Sequence, residues 1–154
     1  MRKFLPMFVM LLTVSAFSQM KKDASPGTAE FLDQKFWSEL GKPTEGPRGY
    51  SLYTRNMQPK SDTLFELWVK IMPTNAAMFN RRYSLPRESA YVIQFATVDC
   101  GKRLVVMERT SAYNDSNIPL DPRGSDLVKN ESRARVRTGS VSETVFEYLC
   151  LKLQ

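Results

Sequence analysis

Two cysteines, three alternating arginines and a tryptophan flanked by charges are the side chains in this 154-residue sequence whose types and spacing suggest chemistry. Cys100 and Cys150 are the only thiols. Nucleophilic or redox use of a thiol asks for a depressed pKa, from a CxxC pair or a helix N-terminus. Cys150 falls at the C-terminal end of a helical pattern, where the dipole disfavours a thiolate, whereas Lys102 and Arg103 beside Cys100 would favour one. Histidine is absent, which removes the commonest general base, the commonest metal ligand and every Ser-His or Cys-His pair. In an exported chain two cysteines allow one intramolecular bridge, and a structural Cys100–Cys150 disulfide is the expectation.

The run "SRARVRT" sets Arg133, Arg135 and Arg137 on one face of a strand, about 6.6 Å apart. Such a row suits an acidic glycan, a lipid phosphate or a protein partner, and equally suits a solvated face that blunts an edge strand. Arg81-Arg82 and Lys102-Arg103 would extend the patch if they lay beside it. Trp68, in "ELWVK", shares the polar side of its strand with Glu66 and Lys70. It reads either as an exposed contact aromatic or as a ring covered by packing, with the C-terminal helix as the obvious lid. Asp115, Asn117, Asp121 and Asp126 fall in one loop but lack the regular oxygen spacing of a calcium site, so a plain polar loop is expected and no metal. Asp99, Glu108 and Glu143 are the carboxylates open to acid–base work, and nothing in the sequence brings two together. No phosphate loop, nucleophile elbow or zinc spacing is present, so no cofactor is expected.

The elements that must position these residues begin after "MRKFLPMFVMLLTVSAFSQ". A basic head, an apolar run and small residues at cleavage spacing read as a signal peptide over residues 1–18. The apolar run is about half the ~20 residues a membrane span needs, so no transmembrane segment is expected. No cysteine stands at the cleavage site to carry a lipid. The whole chain has 22 basic and 16 acidic residues; without Arg2 and Lys3 the balance is 20 to 16, or +4. That mild excess does not point to nucleic acid. Residues 19–34 read as a lead-in, flexible or partly helical, and 35–154 as a single domain.

Running from that lead-in into the domain, "AEFLDQKFWSELGKP" carries Phe31, Leu32, Phe36 and Leu40 near helical spacing, with Thr28 as N-cap, although a strand at 36–40 fits nearly as well. From Tyr50 onward short β-type runs alternate with turn residues. "TLFELWVKIM" is the clearest, with Phe65, Leu67, Val69 and Ile71 on one side and Glu66, Trp68 and Lys70 on the other, the pattern of a sheet with one buried face. "AYVIQFATVD", "CGK" and "RLVVMERTSAY" read as a hairpin turning at Gly101, and residues 113–132 as a long polar loop. "GSVSETVFEYLC" opens with Ser140 and Glu143 in capping-box spacing, followed by Val141, Val145 and Leu149 on one stripe, a helix from Val141 to about Cys150. The expected fold is α+β: an antiparallel sheet of about five to six strands, a C-terminal helix packed on it, and one disulfide between them.

Tyr53, Trp68 in "ELWVK", "VDCGKRL" at Val98–Leu104 and the closing "GSVSETVFEYLC" keep an order that resembles the surface-adhesin protein E family of small exported bacterial proteins, over roughly residues 35–151. The resemblance implies the same sheet, helix and disulfide, and an adhesin-like role at the envelope. The sequence departs from the family's lipid-anchored pattern in lacking a cysteine at the cleavage site, and no tryptophan stands just ahead of "TGSVSE", where family members often carry one. The functional expectation is an exported, non-enzymatic domain, periplasmic, cell-surface or secreted and not lipid-anchored, that contacts a macromolecule or surface. The alternative is an accessory envelope protein that assembles with itself or a partner.

Overall fold

The computed structural model describes residues 25–41, 46, 49–129, 136 and 138–152. The stretch 1–18 that reads as a signal peptide, the first part of the expected lead-in and the three arginines Arg133, Arg135 and Arg137 lie outside the described residues. Among the described residues six strands form one antiparallel meander in chain order: β1 (Ser38–Glu39), β2 (Tyr50–Pro59), β3 (Leu64–Pro73), β4 (Tyr91–Asp99), β5 (Leu104–Tyr113) and β6 (Pro119–Leu120). Four α-helices among the described residues decorate it: α1 (Ala29–Leu32), α2 (Ala76–Tyr83), α3 (Asp126–Lys129) and α4 (Val141–Glu147). Among the described residues no helix is long and apolar enough to cross a membrane.

The alternation in β3 sends Leu67, Val69 and Ile71, each 0% exposed, to the main face. There they meet Val92, Ala96 and Val98 of β4, Val105, Met107 and Ala112 of β5, Phe79 of α2, and Val141, Val145, Phe146 and Leu149 from the C-terminal helix. The helical stripe expected at Val141, Val145 and Leu149 is therefore the covering surface of this core. Ser140 caps α4 by accepting from the Glu143 N–H at 3.1 Å, while Glu143 Oε2 accepts from the Gly139 N–H at 2.6 Å. The reciprocal arm of the capping box thus lands one residue earlier than in the standard motif. A π-helical turn over Tyr148–Lys152 follows, and Cys150 is bonded to Cys100 in the turn after β4, Cα to Cα 5.5 Å. The disulfide ties the end of the C-terminal helix to the β4–β5 hairpin.

The second face is not open, contrary to the one-buried-face expectation. Phe31 and Leu32 of α1, Trp37, Tyr91, Ile93 and Tyr113 form a second core on it, with Tyr53 and Trp68 packed against its edge. Thr28 caps α1, its side chain accepting from the Phe31 N–H, but the helix stops at Leu32. A 3-10 turn at Gln34–Phe36 then leads into β1, so the helix and strand readings of this stretch each hold for part of it.

Two loops are more ordered than their sequence suggests. α2 replaces the loop expected after β3, with Asn75 as N-cap and Ser84 in the left-handed region at φ 54° as C-cap. In the polar stretch after β5, β6 pairs with β5 and α3 forms one turn. The β4–β5 hairpin turns where expected, but the left-handed residue is Arg103, φ 51°, and not Gly101. Asp99 Oδ1 accepts from the Lys102 N–H at 3.0 Å to close the turn.

Candidate functional site

Trp68 is half-buried on the second face, and its cover comes from the opposite end of the chain to that expected. The C-terminal helix lies on the main face; the ring packed against Trp68 is Phe31 of α1, edge-on at 5.3 Å. Phe95 of β4 flanks it at 5.1 Å and 60°. The Trp37 indole N–H donates to the Phe31 carbonyl at 2.9 Å. The Trp68 indole N–H makes no hydrogen bond among the described residues.

Arg55, Trp68, Phe95 and Glu108 stand opposite one another across β2, β3, β4 and β5. A β-bulge sits at each end of this row. On β2 the register shifts between Arg55 and Gln58, and on β5 the pairing passes from Thr110 to Glu108, leaving Arg109 as the extra residue. Both bulges carry a left-handed non-glycine residue, Asn56 at φ 53° and Arg109 at φ 43°. Asparagine tolerates that region; arginine pays about 1–3 kcal/mol for it, a cost that clusters at functional sites. The β5 bulge re-aims a side chain: the Arg109 guanidinium lies 4.8 Å from the Phe95 ring centre and 5.5 Å from that of Trp68.

Two clefts share Trp68 and Pro26 as a common wall. One, about 310 Å³, is lined by Phe31, Ile93, Arg109, Thr110, Ser111 and Tyr113 as well. The other, about 280 Å³, adds Ser25, Asn56, Gln58, Glu66 and Phe95. Lys60 holds the polar wall of the second cleft in place, bridging Glu66 at 2.9 Å and reaching Gln58 at 3.5 Å.

Behind this surface two buried cations hold the N-terminal segment onto the sheet. Arg55 donates to the Glu30 and Phe31 carbonyls at 2.9 and 3.1 Å and lies 5.1 Å from the rings of both Phe31 and Phe36. Those carbonyls belong to α1, whose single turn leaves them without helical partners. Lys70, 4% exposed, donates to Gln34 Oε1 at 2.8 Å and sits 4.3 Å over the Tyr91 ring. Burial depresses the Lys70 pKa, and the charge of Asp33 partly opposes it. Tyr91 stacks on Tyr113 and donates to Asn117 Oδ1 at 2.6 Å; burial first, then Tyr113, pushes its phenol up to about 12.

The other residues singled out from sequence are dispersed. Asp99 is held by Lys102, whose backbone N–H is the main cause of its lowered pKa. Glu143 serves the α4 cap, and Glu108 is exposed on β5. In the polar loop Asp121 binds Arg123, Asp126 accepts from the Ser84 hydroxyl, and Asn117 is committed to Tyr91. Arg81 and Arg82 ride on α2, while Arg103 lies over the Phe146 ring on the main face. Of the arginine run only Val136 is described, and it packs against the main core.

Sequence reading missed Phe95, Asn56 and Arg109. The β5 bulge did leave a mark: core-facing Val105 and Met107 are odd-numbered and Ala112 is even, so one residue must be inserted between them. "ERTS", four polar residues in a row, is where the alternation breaks. Comparison with family models, with curated proteins and with solved structures finds no match for the chain.

Proposed function

We propose that this chain is an exported, non-enzymatic binding domain that engages a macromolecular partner at the envelope through the Trp68 face. The observation that carries the reading is the pair of bulges that frames one half-buried tryptophan and aims an arginine at it. Bulges conserve no pairing energy of their own, and placing two at one level of a sheet, both with left-handed residues, is costly unless the side chains they aim are used. A tryptophan with a free indole N–H beside an arginine is the composition that dominates binding surfaces. The residues that resemble the surface-adhesin protein E family support an adhesin-like role, and the leader-like first 18 residues support export.

Self-assembly through strand edges is the weaker reading. The outermost strands β1 and β6 span two residues each, and the stretch of β2 beyond β1 is "NMQP", polar and ended by proline. The β2 edge therefore resists pairing; on the other side β6 covers β5 only at Ala112 and Tyr113.

The mature domain, immobilised and exposed to envelope extract and to matrix glycoproteins, is expected to retain a specific partner. Trp68→Ala, shown to be folded by circular dichroism, is expected to lose at least ten-fold of that capture. Equal capture by the variant, or none by the wild type, would sink the proposal.

A further inference from the structure

We propose that the Trp68 face takes a carboxylate-bearing polysaccharide, with Arg109 as the receptor for the sugar carboxylate. The inference rests on the binding-domain reading and specifies its ligand. Arg109 is exposed, yet its guanidinium makes no ion pair or hydrogen bond among the described residues. Exposed Arg123, by contrast, bridges Asp121 at 2.6 Å. The Phe95 and Trp68 rings and the bulge hold the Arg109 head in place, and its fork of N–H donors is free for a bidentate oxyanion.

The surroundings select a sugar. Asn56, Gln58 and Glu66 line one cleft and Ser111 the other, a set of amide, carboxylate and hydroxyl groups that pairs with ring hydroxyls; the Thr110 hydroxyl is instead taken by Gln94 at 2.9 Å. Between them stands an indole whose free N–H and flat ring suit the C–H face of a pyranose. At about 280 and 310 Å³ the clefts lie near the lower limit of small-molecule sites, a size for single rings, and their shared wall at Trp68 sets two sugar units side by side. Among the described residues Arg109 is the one basic side chain that lines either cleft, too little positive charge to favour dense sulfate or phosphate. A flat anionic bilayer could not enter clefts walled by Pro26.

Oligosaccharides of hyaluronan, alginate and polygalacturonate, each in its acid and its carboxyl-reduced neutral form, test this against the mature protein by calorimetry and tryptophan fluorescence. At least one acid form is expected to bind saturably, and its neutral form at least ten-fold more weakly. Arg109→Gln should lose a similar factor, Arg109→Lys less, and Arg123→Gln nothing. Failure of all three acids, equal binding of the neutral forms, or full affinity in Arg109→Gln would overturn the proposal, as would Arg109-dependent binding to phosphatidylglycerol vesicles in place of sugars. If Trp68→Ala still abolishes capture of a partner while no glycan binds, the ligand assignment fails and the binding-domain reading stands.

Discussion

Lys70 shows how far a single residue can depart from its sequence appearance. As the polar partner in an alternating strand it reads as solvent-facing, but it is buried under the 3-10 turn with a glutamine oxygen and a tyrosine ring for company. A buried ammonium without a carboxylate in contact stabilises little, so Lys70→Met is expected to leave stability at pH 7 unchanged or raise it by about 1 kcal/mol in urea melts. Its depressed pKa means that the unfolded chain holds the proton to higher pH than the folded one. Wild-type stability should therefore rise from the folded value toward pH 10, a rise the Lys70→Met profile should lack. Phe31, 1% exposed against Trp37, Trp68 and Arg55, departs in the same way, an apolar ring in a stretch that reads as a lead-in and yet builds the second core. Phe31→Ala should cost about 3–5 kcal/mol and shift tryptophan emission to the red as the second core opens. Trp68 was legible as a contact candidate; Arg109 was not, because its role depends on an unpaired position in the ladder that residue type alone does not show.

The elements divide by how much local signal each carries. α4 was legible because cap, acidic residue and apolar stripe coincide within ten residues of chain, and β3 to β5 because their alternation runs long. α2 was missed since Phe79 is its one buried apolar side chain and its start depends on Asn75, a residue that loops favour as well. β6 and α3 are too short to show a period. Ser140→Ala should cost about 1 kcal/mol, read as a lower midpoint in thermal melts and as faster amide exchange confined to α4. Replacing Cys100 and Cys150 together by serine should cost about 4 kcal/mol in the chain-entropy model for this loop length, with α4 the first element to lose protection.

For the whole molecule, the fold class, the hairpin and the disulfide were legible, whereas the second layer was not. Its cover arrives from residues 31–37, more than thirty positions before the Trp68 it packs on, and is secured largely by Arg55 and Lys70 to carbonyls and rings, contacts with no hydrophobic period. Stability is expected to climb toward pH 10 as Lys70 is relieved. It should fall between 10 and about 12, where the unfolded chain ionises its tyrosines before Tyr91 does. Tyr91→Phe should remove much of that fall, which stability curves at pH 9, 10 and 11 would record. Below pH 4 a small loss is expected as Asp33, Asp99 and Asp121, whose pKa values are lowered by Lys35, Lys102 and Arg123, take up protons. The Cys100–Cys150 bond also sets how the molecule bears a pull. Tension applied along the chain from before Cys100 to beyond Cys150 passes straight across the sulfurs, so the 50-position separation between them is shunted out of the load path. Stretched in optical tweezers, the oxidised domain should release about 170 Å less contour than the reduced one, at about 3.4 Å per residue. β5, β6 and α4 would hang unloaded inside the closed loop, and a partner held at the Trp68 face would feel the pull through β2, β3 and β4.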